Sequence, residues 1–129
     1  MSYYMTTTLN SEFDDAISLV TEKLKEQGFG VLTEIDVKQT LKKKLDVDFY
    51  NYKILGACNP PFAHKALMAE NKIGTMLPCN VIIQEREEGK IEVSAVDPMA
   101  SMQAVNNEEL GGIAGEVRER LNKVIASLS

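Results

Sequence analysis

Two short segments hold both cysteines of this chain, and in each of them the cysteine is followed by asparagine and lies close to a proline. They are Ala57-Cys58-Asn59-Pro60 and Leu77-Pro78-Cys79-Asn80. A thiol can act as a nucleophile, a redox group or a metal ligand, and an amide can both donate and accept hydrogen bonds. The pairing predicts a ligand site bordered by four residues: Cys58, Asn59, Cys79 and Asn80.

A thiol-dependent role is the alternative for the same segments. Cys58 follows a predicted strand and precedes a predicted helix, where the helix dipole favours a thiolate. Pro60 and Pro61 remove two backbone donors that would stabilise that anion, so the expected activation is weaker than at an ordinary helix start. A neighbouring strand could bring Cys79 within disulfide range, although the chain contains no Cys-X-X-Cys motif.

A metal site is a second alternative. His64 is the only histidine, and together with Cys58 and Cys79 it would supply three ligands for a metal such as zinc. The spacing matches no compact zinc motif, and free cysteines are among the most buried residue types. We therefore expect no cofactor and assign no catalytic residue, and two inert buried thiols are the simplest interpretation.

Length and composition limit the class of protein. A chain of 129 residues with 44% apolar and 26% charged residues is typical of one globular domain, which we expect to span residues 1–129. A net charge of −5 argues against nucleic acid as a partner. No apolar run is long enough to cross a bilayer and no secretion signal is evident, so we expect no membrane association, a cytoplasmic location and reduced cysteines.

Hydrophobic periodicity predicts two long helices. The first has Ser11 as its N-cap and ends near Gly28, and the second begins after Asn107. Asp36 is predicted to cap a shorter helix, and the two prolines after Asn59 fit the first turn of another. The apolar stripes are Phe13, Ile17, Val20 and Leu24 in the first long helix, and Leu110, Ile113, Val117, Leu121, Val124 and Leu128 in the second.

Alternating apolar residues predict five strands, within residues 1–9, 29–37, 50–56, 78–83 and 91–95. The turn signal at Glu88-Gly89 joins the last two as a hairpin. Asp97 precedes Pro98 and is predicted to cap a turn rather than to join a metal site. The order of elements predicts an α+β fold in which an antiparallel sheet is covered on one face by two long helices.

The ordered combination of several segments resembles domain-of-unknown-function family 302 (DUF302). The resemblance implies a layout similar to that of the TATA-binding protein, with strand, helix, four strands and helix, together with short helical insertions. It also implies assembly as a homodimer, but it carries over neither an activity nor DNA binding. The matching segments are Gly28-Phe29, residues 31–37, residues 54–60, residues 63–67, Ile73-Gly74, residues 77–81 and residues 95–98.

Three functions follow from these observations. We favour a dimeric small-molecule-binding protein, without catalysis, whose site lies near the two Cys-Asn segments. The first alternative is a redox or metal-binding protein that uses Cys58 and Cys79, and it predicts that the sulfurs are close and that one thiol has a lowered pKa. The second alternative is a structural or interaction module.

Overall fold

One antiparallel sheet forms the centre of the computed structural model, which describes residues 2–129. Its strand order is β1-β5-β4-β3-β2, and every neighbouring pair is antiparallel. Met1, which the first predicted strand included, lies outside the described residues. The strands are β1 (Tyr4–Asn10), β2 (Gly30–Asp36), β3 (Asn51–Cys58), β4 (Cys79–Glu87) and β5 (Lys90–Val96).

Two long helices and three short ones accompany the sheet. The strand, helix, four strands and helix order is confirmed, with the short helices as insertions. A 3-10 turn, Ile73–Met76, lies between the third helix and β4. The helices are α1 (Phe13–Glu26), α2 (Val37–Leu45), α3 (Pro60–Ala69), α4 (Pro98–Ser101) and α5 (Glu108–Ser127). Within residues 2–129, no helix is both long and apolar enough to span a membrane.

Local capping explains where several helices begin. The Asp36 side chain accepts a hydrogen bond from the backbone N–H of Gln39 at 2.9 Å, as predicted for α2. Asn107 caps α5 in the same way. The prediction of Ser11 as the cap of α1 is wrong, because its hydroxyl donates to the Glu12 carbonyl and Glu12 occupies the N-cap position.

The core lies between one face of the sheet and the helices α1 and α5. Side chains alternate along each strand, so every second residue points at these helices. The largest fully buried side chains come from both layers, and each contributes roughly 1.5–3 kcal/mol by its removal from water. They include Leu55, Val81, Ile83, Ile91 and Val93 from the sheet, and Val20, Leu24, Leu121 and Val124 from the helices. We call the opposite face, which carries Thr33, Asn80 and Glu92, the outer face.

Candidate functional site

A cavity of about 290 Å³ lies where the end of β3 meets α3 and α5, and we call it the α3–α5 cavity. The prolines at the first two positions of α3 begin that helix directly after β3. Ala63 and Ala66 of α3 and Ala114 of α5 line the space, and their small side chains leave it open. The wall is therefore built from two helices that are far apart in the chain.

Three polar side chains are found in the lining of this otherwise apolar cavity: Cys58, Asn59 and Cys79. Asn59 is only 7% exposed, and its Nδ2 donates to the carbonyl of Gln27 at 3.3 Å. Arg120 Nη1 of α5 donates to the same carbonyl, so the end of α1 is tied both to the start of α3 and to α5. Asn59 Oδ1 receives no hydrogen bond from residues 2–129, which leaves an acceptor for a ligand.

The two cysteines lie on the adjacent strands β3 and β4, and both are free thiols. Cys79 lies opposite Ala57 in the β3–β4 pairing, one residue from Cys58. Burial, with a smaller contribution from the neighbouring Cys58, raises the pKa of the Cys79 thiol from 9.0 to about 11. A buried thiol that stays protonated at neutral pH is a poor nucleophile. The lowered pKa that a thiol-dependent role requires is therefore not found at Cys79.

Asn80 does not share this cavity. It pairs with Gly56, and because neighbouring side chains of a strand point to opposite faces, Asn80 lies on the outer face while Cys79 faces the core. There it lines a separate cavity together with Tyr52 and Glu92. The structure therefore brings together Cys58, Asn59 and Cys79 and places Asn80 apart from them, while the ligand-binding role of these residues stays a prediction.

The structure does not bring His64 to the two cysteines. His64 is exposed on α3, whereas Ala63, Ala66 and Leu67 are the positions that face the cavity. Among the described residues, no group of three or more His, Cys, Asp or Glu side chains is arranged to hold a metal ion. Because α3 turns His64 towards solvent, the structure does not bring together the three residues predicted as metal ligands, Cys58, His64 and Cys79.

Comparison with known families matches the model described as "Domain of unknown function DUF302" to residues 5–128. The chain belongs to the DUF302 family. It is similar to the crystal structure of an uncharacterized conserved DUF302 protein from Bacillus stearothermophilus, with a TM-score of 0.91, 27% identity and 100% of both chains covered. No curated protein matches the chain. The family and the α+β fold expected from the sequence are confirmed, and the function of the family is unknown.

Other residues of this DUF302 protein were not nominated as site residues by the sequence. Phe62, Ile113 and Val117 line the cavity, but at helical spacing they are indistinguishable from ordinary core residues.

Asp97 caps α4 through the N–H of Met99 at 2.9 Å, as the turn interpretation predicted. The Asp97 carboxylate also accepts a hydrogen bond from Arg118 Nε at 2.9 Å. This ion pair between Asp97 and Arg118 joins α5 to the end of β5.

Proposed function

We propose that this DUF302 protein is a dimeric binding protein that takes a small, largely apolar molecule into the α3–α5 cavity. The observation that carries the proposal is an apolar cavity of about 290 Å³ with an amide and two thiols in its lining. Ligand sites are typically apolar clefts of roughly 300–1,000 Å³ with a few placed polar groups. Because a cavity of about 150 Å³ can hold benzene, this one has room for a molecule of one or two rings.

The lining also limits the chemistry of the ligand. None of its described residues is charged, so an ionic ligand would lose its hydration without a partner. Asn59 Oδ1 offers one acceptor that no described residue occupies, which suits a single N–H or O–H group on the ligand. The proposed ligand is therefore a neutral molecule with an apolar body and one hydrogen-bond donor.

Filling the cavity should weaken this binding strongly. Ala63 is half-buried on α3 and lines the cavity, so a phenylalanine side chain there would occupy the ligand's space. Indole is a suitable probe because it is neutral, has two fused rings and carries one N–H. We expect saturable binding of indole in isothermal titration calorimetry, and an affinity at least about tenfold lower in Ala63→Phe.

The matched control is Ala126→Phe, the same substitution at an exposed position of α5 outside the cavity lining. Ala126→Phe should bind indole as the unchanged protein does. Equal affinities of Ala63→Phe and Ala126→Phe would contradict the assignment of the cavity as the binding site. Native mass spectrometry of freshly purified protein would also detect a retained molecule directly.

The dimeric part of the proposal is supported by exposed apolar side chains beside the cavity. Leu32 and Leu67 line the cavity and are 67% and 43% exposed, and Met68, which follows Leu67 on α3, is 77% exposed. Contiguous exposed apolar side chains are typical of interaction surfaces, and each Å² of apolar area buried contributes about 25 cal/mol. Pairing of two copies through this side would also shield the cavity from water.

Introducing a charge into this surface should weaken the dimer. We expect Met68→Glu to raise the dimer dissociation constant about tenfold or more, because two carboxylates would be desolvated at the interface. Light scattering during size-exclusion chromatography at several protein concentrations measures the change. Leu45→Glu, at a 66% exposed position on α2, is the control that should leave the mass unchanged. An unchanged dimer dissociation constant in Met68→Glu would exclude this surface as the dimer interface.

A further inference from the structure

A second cavity, of about 490 Å³, lies on the outer face and is lined by four tyrosines. Tyr3 and Tyr4 approach it from the side of β1, with ring centroids 5.0 Å apart. Tyr50 and Tyr52 approach it from the side of β3, with centroids 6.0 Å apart. Because β5 and β4 lie between β1 and β3, the two tyrosine pairs flank the middle of the sheet. We call this cavity the tyrosine groove.

A carboxylate lies between the two tyrosine pairs. Glu92 of β5 is paired with Gln84 of β4, and its Oε1 accepts a hydrogen bond from Gln84 Nε2 at 3.1 Å. Gln84 Oε1 in turn accepts from the hydroxyl of Tyr50 at 3.2 Å. This chain of bonds orients the carboxylate, and its second oxygen, Oε2, receives no hydrogen bond from residues 2–129. Glu92 therefore keeps one acceptor for a ligand.

The charge of the groove is negative. Its described lining includes no Lys, Arg or His, and Glu92 is the one charged residue there. Burial raises the pKa of Tyr52, and Tyr50, Tyr3 and Glu92 contribute to the rise in the same direction. Anionic and phenolic oxygens gathered without a counter-charge attract a cation.

We propose that the tyrosine groove binds an organic ammonium ion, whose charge pairs with Glu92 and whose carbon atoms contact the tyrosine rings. The faces of aromatic rings are electron-rich and attract cations, and aromatic cages recognise quaternary ammonium groups in this way. This site is separate from the α3–α5 cavity, which has no charged lining residue and suits a neutral ligand. The two faces of the sheet thus serve ligands of different chemistry.

A pair of probes that differ only in charge tests the inference. Choline carries a trimethylammonium group, and 3,3-dimethyl-1-butanol has nearly the same shape without the charge. In ¹H–¹⁵N correlation spectra at constant ionic strength, choline chloride should cause saturable shifts at groove residues such as Gln84 and Ser94. The neutral probe should bind at least about tenfold more weakly, because it gains neither the ion pair nor the attraction to the rings.

Two substitutions separate the contributions of the Glu92 charge and the Tyr52 ring to the affinity for choline. Glu92→Gln keeps the shape and the acceptor for Gln84 but removes the charge, and should lower choline affinity about tenfold. Tyr52→Leu removes a ring and should lower it by about threefold to thirtyfold. Glu119→Gln is the matched control, since Glu119 lies on α5 and is exposed. Thermal unfolding of each variant verifies that it folds.

Equal binding of choline and 3,3-dimethyl-1-butanol would overturn the proposal, and so would an unchanged choline affinity in Glu92→Gln. A second copy of the chain seated on the groove would overturn it as well. In that case the chemical shifts of groove residues would depend on protein concentration in the absence of choline, and choline would fail to change the shifts of the same residues.

Discussion

Replacing Gly56 by alanine should lower the free energy of unfolding by about 2–3 kcal/mol, because an added methyl group has no space there. A β-carbon at Gly56 would collide with Thr33 Oγ1 and would lie 2.7 Å from Pro78 Cγ. Thr33 can change its rotamer, but the Pro78 ring is held by the backbone that enters β4. The strands β2, β3 and β4 would have to separate locally to make room for the added methyl group.

Urea unfolding followed by far-UV circular dichroism measures this effect. Gly30→Ala is the matched control, since Gly30 is also a strand glycine and a β-carbon there would have nothing within 4 Å. We expect Gly30→Ala to change stability by less than about 1 kcal/mol. The double variant Gly56→Ala/Thr33→Ala should recover only part of the loss, because the contact with Pro78 remains. If Gly56→Ala matched Gly30→Ala in stability, the close packing of these strands would be refuted.

Stability should fall by about 3 kcal/mol at alkaline pH because of Cys79 alone. The folded state raises the pKa of this thiol from 9.0 to about 11 through burial. A group whose pKa is higher in the folded state stabilises the fold below its unfolded pKa, and that contribution is lost as the pH rises. The loss therefore develops between pH 9 and 11, since one pH unit corresponds to about 1.4 kcal/mol.

Cys79→Ala isolates this contribution. Its stability at neutral pH falls because a buried side chain is shortened, but its curve of stability against pH should be flatter above pH 9 than that of the unchanged protein. Tyrosine and lysine titrations affect both curves alike and cancel in the difference. Cys58→Ala should retain the steep decline, because Cys79 stays buried. Parallel curves for Cys79→Ala and the unchanged protein would rule out a buried, protonated thiol.

The sequence indicates part of the geometry of the candidate site. Cys58, Asn59 and Cys79 do border one cavity, because the end of β3 and the start of β4 are adjacent in the sheet. The separation of Asn80 from Cys79 was already implicit in the two-residue period of a strand. The orientation of His64 was not implicit in the sequence, since a single histidine on a short helix forms no periodic pattern that would indicate which face of the helix it occupies.

The sequence by itself determined the family, the five strands and four of the helices; the short helix α4 and the 3-10 turn were not predicted. Helix caps such as Asp36 and Asn107, the apolar stripes and the turn at Gly89 are local signals, so they act within a few residues of the chain. The ordered segments from Gly28 to Pro98 were enough to identify DUF302.

Only the tertiary structure decided where the two cavities lie. The α3–α5 cavity exists because small side chains on helices about 50 residues apart face each other across a gap. The tyrosine groove exists because the strand order brings the region of Tyr3 and that of Tyr52 to either side of Glu92. Neither arrangement leaves a local pattern, because the free energy of packing depends on contacts between distant segments that no short stretch of sequence contains.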